Sequence, residues 1–102
     1  MPKAYVISEV EILDETQAAP YRELAAASIA EYGGRYLVRG AAVDVVEGAP
    51  TARRLVVVEF PSMARARTWY ASASYAPARA LRQTALARRL IFVEGVDLPV
   101  PT

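Results

Sequence analysis

Glu59 is the residue of this sequence best placed to do chemistry. It follows four apolar residues, Leu55-Val56-Val57-Val58, and precedes Phe60. The two-residue period of a strand puts its carboxylate on the same face as Leu55 and Val57. A carboxylate near the end of a buried strand needs a partner or carries a raised pKa. It then serves as an acid or base, as a ligand-binding group, or as half of a structural ion pair with Arg39 or Arg82. Arg39 stands beside Gly40, where the missing side chain leaves room for a ligand. An arginine there suits a carboxylate or phosphate held by two N–H groups. Trp69, Tyr70 and Tyr75 cluster around a helix break, and Tyr21 lies on an earlier helix. Either they pack helices on a sheet, or they wall a site for a small organic ligand, with a tyrosine hydroxyl for a substrate oxygen. Arg82 falls near the Ala78-Leu81-Ala85 stripe, a spacing that turns it inward, whereas Arg79 faces solvent. The candidate catalytic residues are therefore Glu59, Arg39 and Tyr75. The candidate ligand-binding residues are Tyr21, Trp69, Tyr70 and Arg82.

The absences narrow the chemistry further. The 102 residues include no histidine and no cysteine. That removes histidine bases and zinc or haem ligands, Ser-His-Asp triads, thiol nucleophiles and disulfides. Ser72 and Ser74 read as helix caps, because no customary base is available to activate them. Glu9, Glu59 and Glu94 all lie in strands, where together they would suit a hard cation. Strand alternation that sends them to the rim is the simpler expectation, so no metal site and no cofactor is expected. There is no Gly-rich phosphate loop, and Gly33-Gly34 ends a helix rather than starting one. A net charge of +1 does not point to nucleic acid. The start, Met1-Pro2-Lys3, runs into a strand pattern without an apolar leader, and the apolar runs are short. The expectation is a cytoplasmic chain with no membrane partner.

The elements that position these residues follow from pattern. Residues 4–12 are β-branched and aromatic and predict a first strand. Asp14 is a helix N-cap, with Gln17 completing a capping-box pattern. Pro20 sits early enough to be tolerated, or moves the helix start to Ala18 or Ala19. Tyr21, Leu24, Ala25, Ser28, Ile29 and Tyr32 then form one helical stripe. Residues 35–47 predict a second strand, bent at Gly40-Ala41-Ala42. After a turn at Gly48-Ala49-Pro50, residues 53–60 form the antiparallel third strand. Ser62 caps a second helix, which Ser72-Ala73-Ser74 breaks. Ser74 caps its continuation, Tyr75 to Arg88, with Pro77 in the first turn. Leu90 to Val96 is the fourth strand. The expected plan is β-α-β-β-α-β, an α+β ferredoxin-like domain over residues 1–96. Its four-stranded antiparallel sheet carries the helices on one face. Residues 97–102 form an extended tail.

Two helices cover one face of such a sheet. Yet Leu55-Val56-Val57-Val58 and Leu90-Ile91-Phe92-Val93 are apolar on both faces. The uncovered face therefore predicts a homodimer packed sheet to sheet.

The whole set of segments resembles one family. Gly33-Gly34-Arg35-Tyr36-Leu37-Val38-Arg39-Gly40, Val58-Glu59-Phe60-Pro61-Ser62, Trp69-Tyr70, Ser74-Tyr75, Leu81-Arg82 and Phe92-Val93-Glu94-Gly95 are similar to domain-of-unknown-function family 1330. The resemblance implies a dimeric α/β barrel of ferredoxin-like protomers. It implies no particular activity, since that superfamily includes cofactor-free monooxygenases, haem-dependent enzymes and isomerases. The expected function is a dimer that binds a small organic or anionic ligand between sheet and helices, as a cofactor-free enzyme or as a binding protein. The alternative is a structural or regulatory dimer with no active site.

Overall fold

A computed structural model of the chain describes residues 2–97. The tail expected over residues 97–102 lies, apart from Asp97, outside the described residues. The order is β1 (Ala4–Ile12), α1 (Glu15–Glu31), β2 (Arg35–Ala42), β3 (Arg54–Phe60), α2 (Met63–Ala71), α3 (Ala76–Ala85) and β4 (Leu86–Glu94). The strands form one antiparallel sheet in the order β2-β3-β1-β4. The β-α-β-β-α-β plan stands, with its second helix split in two at Ser72.

Polar side chains set the helix ends. Asp14 Oδ1 accepts from Thr16 N, so α1 begins at Glu15 and carries Pro20 inside it. Gln17 does not complete a capping box; its side-chain oxygen accepts instead from Thr84 of α3. Gly33, at φ +78°, turns the chain out of α1. Ser62 Oγ accepts from Arg65 N and caps α2. Ser74 does not cap α3, whose N-cap residue Tyr75 has no side-chain cap: Ser74 donates to Glu31, while Ser72 Oγ accepts from Tyr75 N in the turn between α2 and α3.

Two boundaries differ from expectation. β2 ends at Ala42, so residues 43–53 link it to β3 in place of a tight turn. α3 stops at Ala85, because Leu13 N and Asp14 N donate to the Ala85 carbonyl at 2.8 and 3.2 Å. Pairing with β1 then draws Leu86 to Arg89 into β4, so Arg88 lies opposite Val10. Long-range pairing thus overrides a local helical pattern.

Register assigns the faces. Ala4, Val6, Ser8 and Val10 of β1 are buried beneath the helices, with Phe60, Val58, Val56 and Arg54 of β3 opposite them. Tyr5, Ile7, Leu55, Val57, Ile91 and Val93 share the other face, which none of the described helices covers. Here Val93 is 42% exposed. Beneath the helices the core falls into two clusters. One joins Val6, Ile29, Val58, Phe60, Trp69 and Tyr75; the other joins Val10, Ala18, Ala85 and Leu86. Leu24, expected in the buried stripe of α1, is exposed.

Candidate functional site

Tyr21 and Val56 pack against both core clusters. Between the clusters, beneath α1, lies a cavity of about 320 Å3. Its floor is the helix-facing side of the sheet, including Ser8, Val56, Arg88 and Leu90. Tyr21, Ala25 and Ile29 of α1 cover it, and Trp69 closes one side. Arg39 and Gly40 of β2 line it as well, beside Arg54. Gly40 sits in a β-bulge at φ +79°, and a Cβ there would meet nothing within 4 Å. Arg39 is exposed and stacks over Tyr36, 4.2 Å from the ring centre.

The polar centre of the cavity is Arg88. Nη1 donates to Tyr21 Oη and Nη2 to Tyr75 Oη, each at 2.7 Å. The two hydroxyls stand 3.1 Å apart. Burial disfavours the Arg88 charge, yet the two facing tyrosine oxygens outweigh it, and its pKa lies above the ordinary value. Burial pushes the Tyr21 phenol far above its ordinary pKa, so it stays protonated and is not a base near neutrality. Each hydroxyl oxygen accepts from Arg88 and one donates to the other, so one O–H remains unspent. Tyr75 is fully buried, whereas Tyr21 lines the cavity. The arrangement that wastes no donor has Tyr75 donating to Tyr21 and Tyr21 offering its hydrogen to the cavity. Ser8 Oγ, buried in the floor, has no hydrogen-bond partner among the described residues. A hydroxyl left in that state costs about 1–3 kcal/mol.

Among the expected site residues, Tyr21, Arg39, Trp69 and Tyr75 meet at or beside this cavity. Trp69 Nε1 donates to Ser28 Oγ at 3.0 Å, so Trp69 offers the cavity only ring surface. Tyr70 lies elsewhere, in a second depression with Arg67, Leu90 and Phe92. Its ring meets Phe92 edge-on and packs against Arg79. Arg82 is half-buried on α3 and does not line the cavity.

Glu59 is on the opposite face of the sheet from the cavity. The expected parity with Leu55 and Val57 is correct, but that face is the one the helices leave bare. Its partners are neither Arg39 nor Arg82. Arg35 Nε and Lys3 Nζ donate to its Oε1 at 2.8 and 3.4 Å. Its side chain is 12% exposed, and desolvation acts to raise its pKa. The hydrogen bonds and charges of Arg35 and Lys3 outweigh that, and the pKa falls below the ordinary 4.5. A depressed carboxylate stabilises the fold above its unfolded pKa and loses that contribution as pH falls through the folded value. Wild type should therefore lose more stability than Glu59→Gln between about pH 5 and pH 3. Urea midpoints at each pH measure the difference, and parallel losses would show that the pair contributes nothing.

Glu9 pairs with Arg89 across strands at 3.4 Å. Among the described residues no three metal-ligating side chains converge. No helix among them is long and apolar enough to cross a membrane.

Arg88 and Ser8 were not among the expected site residues. Ser8 has the parity of Val6 and Val10 within a strand, a signal sufficient to set it under the helices. Arg88 carried no such signal, because the periodic stripe of α3 ran through it.

Residues 3–96 match the family described as "Domain of unknown function (DUF1330)". No curated protein matches the chain by sequence. Three solved structures are similar to it. One is RPA0582, a protein of unknown function from Rhodopseudomonas palustris, at 16% identity and a TM-score of 0.75 over 95% of this chain and 85% of that one. Another is SnoaB, a cofactor-independent oxygenase from Streptomyces nogalater, at 10% identity and a TM-score of 0.65 over 100% of both chains. The third is a dimeric protein of ferredoxin-like fold from Bacteroides fragilis, at 11% identity and a TM-score of 0.62 over 90% of this chain and 95% of that one. At such identities the likeness is one of fold, and the fold is ferredoxin-like.

Proposed function

The chain belongs to the DUF1330 family, a domain of unknown function, and on that premise we propose that it is a small-molecule-binding homodimer. Each protomer receives a largely apolar organic ligand beneath α1, with an oxygen of that ligand against Arg88. One observation carries this reading: a guanidinium inside a mainly apolar cavity, held in place by two tyrosine hydroxyls rather than by a carboxylate. A structural arginine in a core is normally neutralised by an acid. Arg88 has none within ion-pair distance among the described residues. The cavity volume of about 320 Å3 suits a ligand of one or two rings.

The same geometry supports a catalytic role without a bound cofactor. Negative charge forming on a ligand carbonyl or phenolic oxygen would be stabilised by Arg88 and by the unspent O–H of Tyr21. The name of SnoaB, a cofactor-independent oxygenase of the same fold, is consistent with chemistry in such a cavity. Glu59 lies too far round the sheet to take part. The apolar face of Ile7, Leu55, Val57 and Ile91 supports sheet-to-sheet dimerisation, as does the dimeric state named for the Bacteroides fragilis protein.

Filling the cavity tests the proposal. Val56 lies on its floor opposite Ser8, and Val56→Phe puts a ring into the empty space. A panel of one- and two-ring compounds bearing oxygen should include members that raise the wild-type Tm by several degrees, because binding to the folded state alone stabilises it. Val56→Phe should fold and lose those shifts. Shifts that persist in Val56→Phe, or a panel without effect on wild type, would overturn the reading.

A further inference from the structure

We infer that the ligand of this cavity is an organic carboxylate, bound with its acid group inward between Arg88 and Ser8. The inference rests on the cavity being a binding site, and it names the class of molecule bound.

The reason is a count of donors against acceptors. A guanidinium has five N–H groups. Two are spent on Tyr21 and Tyr75, leaving three. Tyr21 has one O–H to give, and Ser8 another, its oxygen having no partner among the described residues. Trp69 is already satisfied by Ser28. The inner cavity therefore offers donors almost alone, and hydroxyl lone pairs are its sole side-chain acceptors. A neutral alcohol or amide would bring further donors with little to receive them. A ketone accepts through one oxygen and leaves most of the donors idle. A carboxylate brings two oxygens with about four acceptor sites and supplies the missing negative charge.

Register places the donors for one such group. Arg88 pairs with Val10 and Leu90 with Ser8, so Arg88 and Ser8 are diagonal neighbours on the same face of adjacent strands. Diagonal neighbours lie about 7–8 Å apart at the backbone. The proposed carboxylate lies between these two side chains, both of which line the cavity. Charge outside agrees with charge inside. Four arginines and no acidic residue line the cavity: Arg22, which is ion-paired with Glu15, Arg88, and the exposed Arg39 and Arg54. An anion is thus drawn toward the opening and meets Arg88 further in.

The test compares 2-naphthoate with 2-naphthamide, which is nearly the same in shape and carries no charge. Calorimetry on the full chain should find the acid at least about tenfold tighter, the scale of charge-assisted hydrogen bonds. Arg88→Gln should reduce the ratio to about one. Should that variant fail to fold, Ser8→Ala keeps the test decisive. It removes a hydroxyl with no partner, so it should leave Tm unchanged or higher while the acid's advantage falls several-fold. Equal affinity of the two compounds for wild type would overturn the carboxylate inference and leave the cavity as a binding site. An acid preference that survives in Ser8→Ala and Arg88→Gln would place the anion at the outer arginines and overturn it too. Binding of neither compound at millimolar concentration would overturn the inference, while the cavity reading stands or falls separately on Val56→Phe.

Discussion

Trp69→Ala should destabilise the domain by about 3–5 kcal/mol, the range for truncating a fully buried aromatic side chain. Trp69 is 2% exposed and belongs to the main core cluster. Its ring lies 4.3 Å from that of Tyr75 and 5.3 Å from that of Phe60, centre to centre. Its Nε1 hydrogen bond holds Ser28 of α1 from across the layer. Truncation removes these contacts and merges the space it leaves with the existing cavity. Loss on this scale takes a large share of the roughly 5–15 kcal/mol that a domain of this size commands. Urea unfolding followed by far-ultraviolet circular dichroism measures it, because Trp69 is the sole tryptophan and its fluorescence goes with it. Trp69→Phe keeps most of the apolar contact and should lose clearly less. A loss below about 1 kcal/mol for Trp69→Ala would mean that the helices are held to the sheet by something else.

The second large effect concerns the bare face of the sheet. Ile7 lies at its centre, opposite Val57 on one side and Ile91 on the other. Tyr5, Leu55 and Val93 surround it, and the Glu59–Arg35 and Glu9–Arg89 pairs lie on the same face further out. An apolar centre with a charged rim is the usual anatomy of a protein interface. In a two-fold dimer Ile7→Asp enters twice, so both carboxylates would lie in the contact without partners. The dimer dissociation constant should rise at least about a hundredfold, close to 3 kcal/mol. The protomer should keep its fold, because in a monomer the same aspartate faces water. Sedimentation equilibrium at micromolar concentration should therefore find a dimer for wild type and a monomer for Ile7→Asp, with unchanged circular dichroism. A monomeric wild type would remove the sheet-to-sheet dimer from the account.

Much of this architecture was legible in the chain. β1 was readable to the residue because its β-branched and aromatic run is bounded by Lys3 and Asp14, and Asp14 and Ser62 cap the helices that follow them. Gly40 marked a bulge or bend, and it is a bulge. The site was less legible, for two physical reasons. Parity tells which strand residues share a face, but not which face the helices cover when both are apolar. Glu59 was thus grouped correctly with Leu55 and Val57 and assigned to the wrong side of the sheet. The second reason lies at the junction of α3 and β4. The stripe Ala78-Leu81-Ala85 continues a helical period into residues that β1 claims by long-range pairing, a contact no local pattern reports. Arg88, read as helical, becomes instead a strand residue facing Tyr21 and Tyr75. Of the expected aromatic residues, Tyr21 on α1, Trp69 on α2 and Tyr75 at the helix break lie at or beside the cavity, whereas Tyr70 does not.

The central claim is that the space beneath α1, centred on Arg88, is where this protein meets its ligand. Two-dimensional NMR of the isotope-labelled protein, titrated with 2-naphthoate, tests it most directly. The account predicts saturable shift changes concentrated at Ser8, Tyr21, Val56, Arg88 and Leu90, with Ile7, Val57 and Ile91 on the far face little affected. Shift changes centred on the far face, or spread over the surface arginines without saturation, would contradict it.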